Sequence, residues 1–229
     1  MNSEKRLVFV AGGTGYLGRP LIIELLRRGH SVRALVRAGS EGRLPAGCTV
    51  ISGSALDGSS YQQAIQPADT FVHLVGVSHP SPSKAAEFRA IDQKSASESV
   101  STAKETGIQH FVYVSVAHPA PVMKAYIAAR MESEAMLRAS GMNATILRPW
   151  YVLGPGHRWP YALLPMYWLA EQLPGTKDGA RRLGLVTLQQ MWQALVNAVE
   201  VPCKGVCVVE VPEIRASATS ARDHVDLPA

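Results

Sequence analysis

Seven residues near the start of the chain constrain its fold most: Gly12-Gly13-Thr14-Gly15-Tyr16-Leu17-Gly18. Before them lies a short, continuous apolar run, Leu7 to Ala11. After them Leu21, Ile22, Leu25 and Leu26 recur at helical spacing until Gly29. A run apolar at every position suits a strand buried on both faces, as in a parallel sheet. A glycine turn between such a strand and a helix suits a pyrophosphate: Gly12 allows the tight turn, Gly15 lets the backbone approach the phosphates, and Gly18 lets helix and strand pack closely. The helix N-terminus adds free N–H groups and a partial positive charge.

The alternation continues along the chain. Strands are predicted at Ser31–Arg37, Thr49–Ser52, Asp69–Val77, Phe111–Ser115, Ala144–Leu147 and Gly205–Glu210. Helices are predicted at Tyr61–Ile65, from about Lys84 to Thr106, and at Ala125–Ser140 and Leu188–Glu200. Strands alternating with helices imply an α/β fold, a doubly wound parallel sheet with right-handed crossovers and helices on both faces. With 229 residues, 47% of them hydrophobic, a single domain over residues 1–215 is expected. A small cap falls within about 150–190, where Trp150, Tyr151, Trp159, Tyr161, Tyr167 and Trp168 cluster, and a loose tail is expected over 216–229.

Composition removes several classes of function. The three cysteines have no zinc-like spacing and no His partners close by, so neither a metal site nor a disulfide framework is expected. The N-terminal Met-Asn-Ser-Glu-Lys-Arg is unlike a signal peptide, and no run reaches the ~20 apolar residues of a membrane span. A cytoplasmic protein is the expectation. Residues 1–47 hold eight Lys or Arg against Glu4, Glu24 and Glu41, so the whole net charge of +5 lies there. The basic residues are not interleaved with aromatics, which favours a small anionic ligand over nucleic acid.

The loop reads Gly-x-x-Gly-x-x-Gly. Together with Phe111-Val-Tyr-Val-Ser115, Tyr126 on a helix continuing to Glu134, and Arg148-Pro149-Trp-Tyr-Val-Leu-Gly154-Pro155, it resembles the extended and atypical branches of the short-chain dehydrogenase/reductase superfamily, which include epimerase/dehydratase-like proteins. The resemblance spans nearly the whole patterned chain and implies a Rossmann fold around a nicotinamide dinucleotide. It places Gly12, Thr14, Gly15, Tyr16 and Leu17 on the cofactor, with Ser54, Ala55, Leu74, Val75 and Gly76 under the adenosine and Pro149 and Val152 beyond. An acid at the end of the second strand would bind the ribose 2′-hydroxyl, whereas a basic residue accommodates a 2′-phosphate. Arg37 stands there, with Arg33 and Arg43 adding positive potential, so NADP(H) is expected in preference to NAD(H).

For catalysis the resemblance points to Tyr126, Arg130 and Ser115. The family's Tyr-x-x-x-Lys pair reads Tyr126-Ile-Ala-Ala-Arg130 here. Spacing of four puts both side chains on one helical face. A cation there acidifies the phenol and binds ribose, and a serine polarises the substrate carbonyl. Arginine keeps the charge but cannot relay a proton. Glu134, one turn on, is expected to pair with Arg130. His118, Trp150 and Tyr151 are candidate substrate contacts. The expected function is an NADP(H)-dependent oxidoreductase for a small carbonyl or alcohol, hydrophobic or aromatic, in a monomer or homodimer. Two alternatives stay open: an NADP(H)-binding protein without turnover, and a nucleotide-sugar epimerase or dehydratase, for which the cap is small.

Overall fold

The first strand, β1 (Leu7–Ala11), lies in the interior of a seven-stranded sheet, with Val8, Phe9, Val10 and Ala11 completely buried. The computed structural model describes residues 4–120, 122–155 and 177–217. The remaining strands are β2 (Ser31–Val36), β3 (Thr49–Ser52), β4 (Thr70–His73), β5 (His110–Val114), β6 (Asn143–Leu147), β7 (Tyr151–Leu153), β8 (Leu185–Thr187) and β9 (Val206–Val209). The large sheet runs β3-β2-β1-β4-β5-β6-β9, and every ladder is parallel. The strand order reverses between β1 and β4. That switch point is where doubly wound sheets open a ligand crevice.

Helices α1 (Gly18–Arg27), α2 (Gln62–Ile65), α3 (Ala85–Glu87), α4 (Lys94–Glu105), α5 (Lys124–Ala139), α6 (Lys177–Arg182), α7 (Leu188–Glu200) and α8 (Val211–Ala216) connect the strands. Side chains alternate across the sheet, so two cores form. One face packs Val8, Val10, Val72, Val112 and Leu147 against α1, α7 and α8. The other packs Phe9, Phe71, Phe111 and Tyr113 against α2, α4 and α5.

The strand expected over Asp69–Val77 stops at His73, because Leu74 to Gly76 turn across the glycine loop. The helix expected from Lys84 to Thr106 is interrupted by a π-helical segment, Phe88–Gln93. The wider turn buries Phe88 and Asp92, and the Asp92 carboxylate there accepts from the Val77 N–H at 3.0 Å. Three short features carry no readable period: α8, α6, and the parallel pair β7–β8. The aromatic stretch lies outside the described residues from 156 to 168, and the expected tail lies outside them beyond 217.

Candidate functional site

The glycine loop hangs from β1 and meets the backbone that leaves β4. Gly12 has φ +92°, and a Cβ there would come within 2.9 Å of the Leu74 carbonyl carbon. The Gly15 N–H donates to the Gly12 carbonyl at 3.0 Å. A Cβ on Gly18 would overlap that same carbonyl oxygen and lie 2.7 Å from the Gly13 Cα. Gly12 and Gly18 are therefore required by an approach of backbone to backbone. Helix α1 has no side-chain N-cap and no acid in its first turn. The Arg19 N–H donates to the Gly15 carbonyl at 3.2 Å and Pro20 has no N–H, so what the helix start offers an anion is chiefly its uncountered positive end.

Arg37 directly follows β2 and is exposed. Arg33 does not join it: its Nη1 donates to the carbonyls of Ala64 and Gln66, at 2.7 and 2.5 Å. Arg43 is exposed in a 3₁₀ turn. Ser54 and Ala55 follow β3, where the Ser54 hydroxyl accepts from the Leu56 N–H at 3.2 Å. Tyr16 packs its hydroxyl into the space left by the absent Cβ of Gly154, tying the loop to the end of β7.

Beside the loop opens a pocket of about 170 Å³, lined by Leu17, Leu74, Val114, Ser115, Val116, Tyr126, Arg130, Pro149, Trp150 and Val152. All but Val114 and Val116 are residues singled out from sequence. They come from the carboxyl ends of β1, β4, β5 and β6, from β7 and from the first turns of α5. Val75, Gly76, His118 and Tyr151 lie outside the lining. Tyr151 belongs to β7, and His118 sits with Nε2 3.6 Å from the Glu134 carboxylate.

The expected Arg130–Glu134 pair does not form. The Arg130 Nη2 donates instead to Asp92 Oδ1 at 2.6 Å, and Nη1 to the Val114 carbonyl at 2.9 Å and the Tyr113 hydroxyl at 3.3 Å. Its guanidinium lies 5.2 Å from the Tyr126 ring centre and 5.7 Å from that of Tyr113. Gly76 is needed here for a reason sequence did not reveal, since a Cβ on it would overlap Arg130 Nη2. Arg130 Nε, also buried, has no hydrogen-bond partner among the described residues.

Burial opposes the Arg130 charge, but Tyr126, Tyr113 and Asp92 hold it firmly cationic, above the usual arginine range. The Tyr126 phenol is pushed above its ordinary value by desolvation, with Arg130 pulling the other way. The net acidification expected from the cation is therefore not what the geometry produces.

Glu134 serves a second network. Arg148 grips it through Nε at 2.9 Å and Nη2 at 2.5 Å, and the Ser115 hydroxyl donates to it at 2.6 Å. Although burial opposes this, hydrogen bonds from Arg148 and Ser115 keep the Glu134 carboxyl below its ordinary value. Because the single Ser115 hydroxyl proton goes to Glu134, Ser115 offers only oxygen lone pairs to anything else. The sequence reading gave Asp92 and Tyr113 no role. The one available signal was an acid within the apolar-patterned face of the helix before α4.

A phosphate-ready loop at the switch point, beside a pocket holding a tyrosine and a fixed cation, defines a dinucleotide-binding protein. A family model described as NAD(P)H-binding matches residues 12–159, and the chain belongs to that family. Ceramide reductase of Caulobacter vibrioides is 24% identical over 211 residues, covering 91% of this chain and 65% of its own length. The chain thus spans just under two thirds of that relative. The 3-diazoavenalumate denitrifying reductase of a Streptomyces species is 28% identical over 227 residues, covering 86% of this chain and 73% of its own. WbmH of Bordetella bronchiseptica, solved with NAD+, shares the fold with a TM-score of 0.68 at 21% identity, over 99% of this chain and 84% of that one. Among the described residues no helix is long and apolar enough to cross a membrane.

Proposed function

We propose that the protein is an NADP(H)-dependent oxidoreductase acting on a small carbonyl or alcohol group carried by a hydrophobic or ring-bearing molecule. The observation that carries this reading is the pocket in which Tyr126 and Arg130 share one wall system with Leu17 of the glycine loop and with Pro149 and Val152. Glycines whose Cβ atoms would fill the loop, and the unpartnered Arg130 Nε, suit a dinucleotide there. Gly12, Thr14, Gly15 and the α1 N-terminus would hold its pyrophosphate, Ser54 and Ala55 its adenine by backbone contacts, and Arg37 a 2′-phosphate. When bound, a nicotinamide supplies or accepts a hydride.

In this reading Tyr126 holds the proton exchanged with the substrate oxygen. Arg130 orients the phenol and stays charged throughout, so the proton does not pass through it. Ser115 accepts a hydrogen bond from the substrate and does not donate one to a carbonyl, because Glu134 holds its proton. The apolar surfaces of Trp150, Leu74 and Val152 favour a hydrophobic substrate body.

The fixed Arg130–Asp92 and Ser115–Glu134 contacts also favour a second reading, in which NADP(H) binds without turnover. Single-turnover oxidation of bound NADPH against a panel of quinones, aldehydes and ketones separates the two. General acid–base help is worth about 10²–10⁴-fold, so Tyr126→Phe should lose most of the rate and keep its cofactor affinity. A fully active Tyr126→Phe would remove the assigned role, and a protein silent across the panel supports the binding reading. Arg37→Ser should cut the preference for NADP(H) by about tenfold or more, the value of one charge-assisted hydrogen bond. NAD(H) binding as tight as NADP(H) in the unaltered protein would refute that preference.

A further inference from the structure

Two of the three cysteines meet at the β9 edge of the large sheet, toward the amino-terminal end of β9 and away from the nucleotide loop. Cys207 is the second residue of β9 and lies in register with Thr145 of β6. Residues paired across a parallel ladder point to the same face. The Thr145 hydroxyl lies 3.8 Å from the Cys203 sulfur, so Cys203, Thr145 and Cys207 share that face. The Cys203 thiol donates to the Ala144 carbonyl at 3.1 Å.

The turn carrying Cys203 is closed firmly on β6. Gly205 adopts φ +72°. Its N–H donates to Asn143 Oδ1 at 2.8 Å, and its carbonyl accepts from the Ala144 N–H at 2.8 Å. Both cysteines are half-buried, so a small reagent reaches them. The neighbouring Cys203 thiol, with burial adding to it, pushes the Cys207 thiol above its ordinary value.

We propose that Cys203 and Cys207 are a reversible dithiol–disulfide pair, a redox-modification site separate from the nucleotide pocket. With glutathione disulfide as oxidant, the Cys203 thiolate attacks one of its sulfurs and releases one glutathione thiolate, leaving a mixed disulfide on Cys203. Cys207 then gives its proton to solvent and attacks the Cys203 sulfur, expelling the second glutathione. Two protein thiols are oxidised to one disulfide, and one glutathione disulfide is reduced to two glutathiones. Cys203 makes the first attack because a raised thiol pKa leaves little thiolate on Cys207. Cys48 has no such neighbour. Its thiol donates to the Pro45 carbonyl at 3.1 Å, and burial pushes it up.

The test equilibrates the full chain with mixtures of glutathione and glutathione disulfide, blocks free thiols with a maleimide, and reads the intact mass. The expected product takes one maleimide, at Cys48, has lost two hydrogens and retains no glutathione. Cys203→Ser and Cys207→Ser should each abolish the protected pair, while Cys48→Ser keeps it. Neighbouring cysteines also close in an unfolded chain, so the same titration is run in urea. The fold should raise the effective concentration of the pair by about tenfold or more over the unfolded chain. Three free thiols, stable glutathione adducts without ring closure, or equal effective concentrations folded and unfolded would each overturn the proposal.

Discussion

The Arg130 guanidinium holds two of its nitrogens on fixed partners, Asp92 at one, the Val114 carbonyl and Tyr113 hydroxyl at the other. Removing one member of a buried ion pair typically costs about 3–5 kcal/mol, because the remaining charge is left uncompensated. Asp92→Ala should therefore lower the unfolding free energy by about that much, and Asp92→Asn, which keeps an acceptor, by clearly less. Urea denaturation checks both, and equal losses would mean that charge is not what Asp92 contributes. Arg130→Lys should retain or raise turnover, since lysine restores proton relay. The Tyr126–Arg130 spacing was legible in the sequence because four residues make one helical turn. The partners were not. The same spacing rule pointed to Glu134, but Arg148, just past β6, reaches Glu134 with two hydrogen bonds, while Asp92 comes from 38 residues upstream. A long-range ion pair leaves no local pattern.

At the scale of elements, the segments legible beforehand are those with a continuous apolar run or a clear helical stripe: β1, β2, β5, β6, α1, α5 and α7. Strands of three residues, such as β7 and β8, are too short to show a period. The start of α7 carries a local signature in the sequence, for Thr187 and Gln190 form a reciprocal capping box. The junction of β1 and α1 makes the sharpest element-scale test. Helix propensity alone favours alanine over glycine by about 0.5–1 kcal/mol. At Gly18 the new methyl would overlap the Gly12 carbonyl oxygen, and overpacking of this kind costs about 1–3 kcal/mol. Gly18→Ala should thus destabilise the protein and weaken dinucleotide binding at least about tenfold. A thermal melt and a cofactor titration decide it. A variant more stable than the parent would mean that the loop yields.

Across the whole molecule, the centre of the sheet holds two histidines kept neutral by their surroundings. His73, at the end of β4, is completely buried among Ser99, at 3.0 Å, and Ser95, at 3.5 Å. Burial and the Arg130 charge bring its pKa down to about 3. His110, at the start of β5, is brought down to about 4 by burial and Arg6. An unfolded chain protonates both near pH 6.5. Their contribution to stability is complete above that pH and is lost as the pH falls, by about 1.4 kcal/mol per unit for each group. Asp92, whose carboxyl burial raises, opposes them with one group against two. The urea midpoint should fall markedly from pH 7 to pH 5, and a flat or rising profile would contradict the buried neutral state. The ladders carry a further consequence. Leu7 meets Ser31, Val8 meets Thr70, and Ala144 meets Val206, so every strand is held by a stretch of chain far from it in sequence. The glycine loop, Gly76, Ser115, Tyr126 and Pro149 each hang from a different part of that arrangement. No fragment of the chain carries the site, and a nucleotide that binds only the assembled sheet pulls the folding equilibrium of all its strands at once.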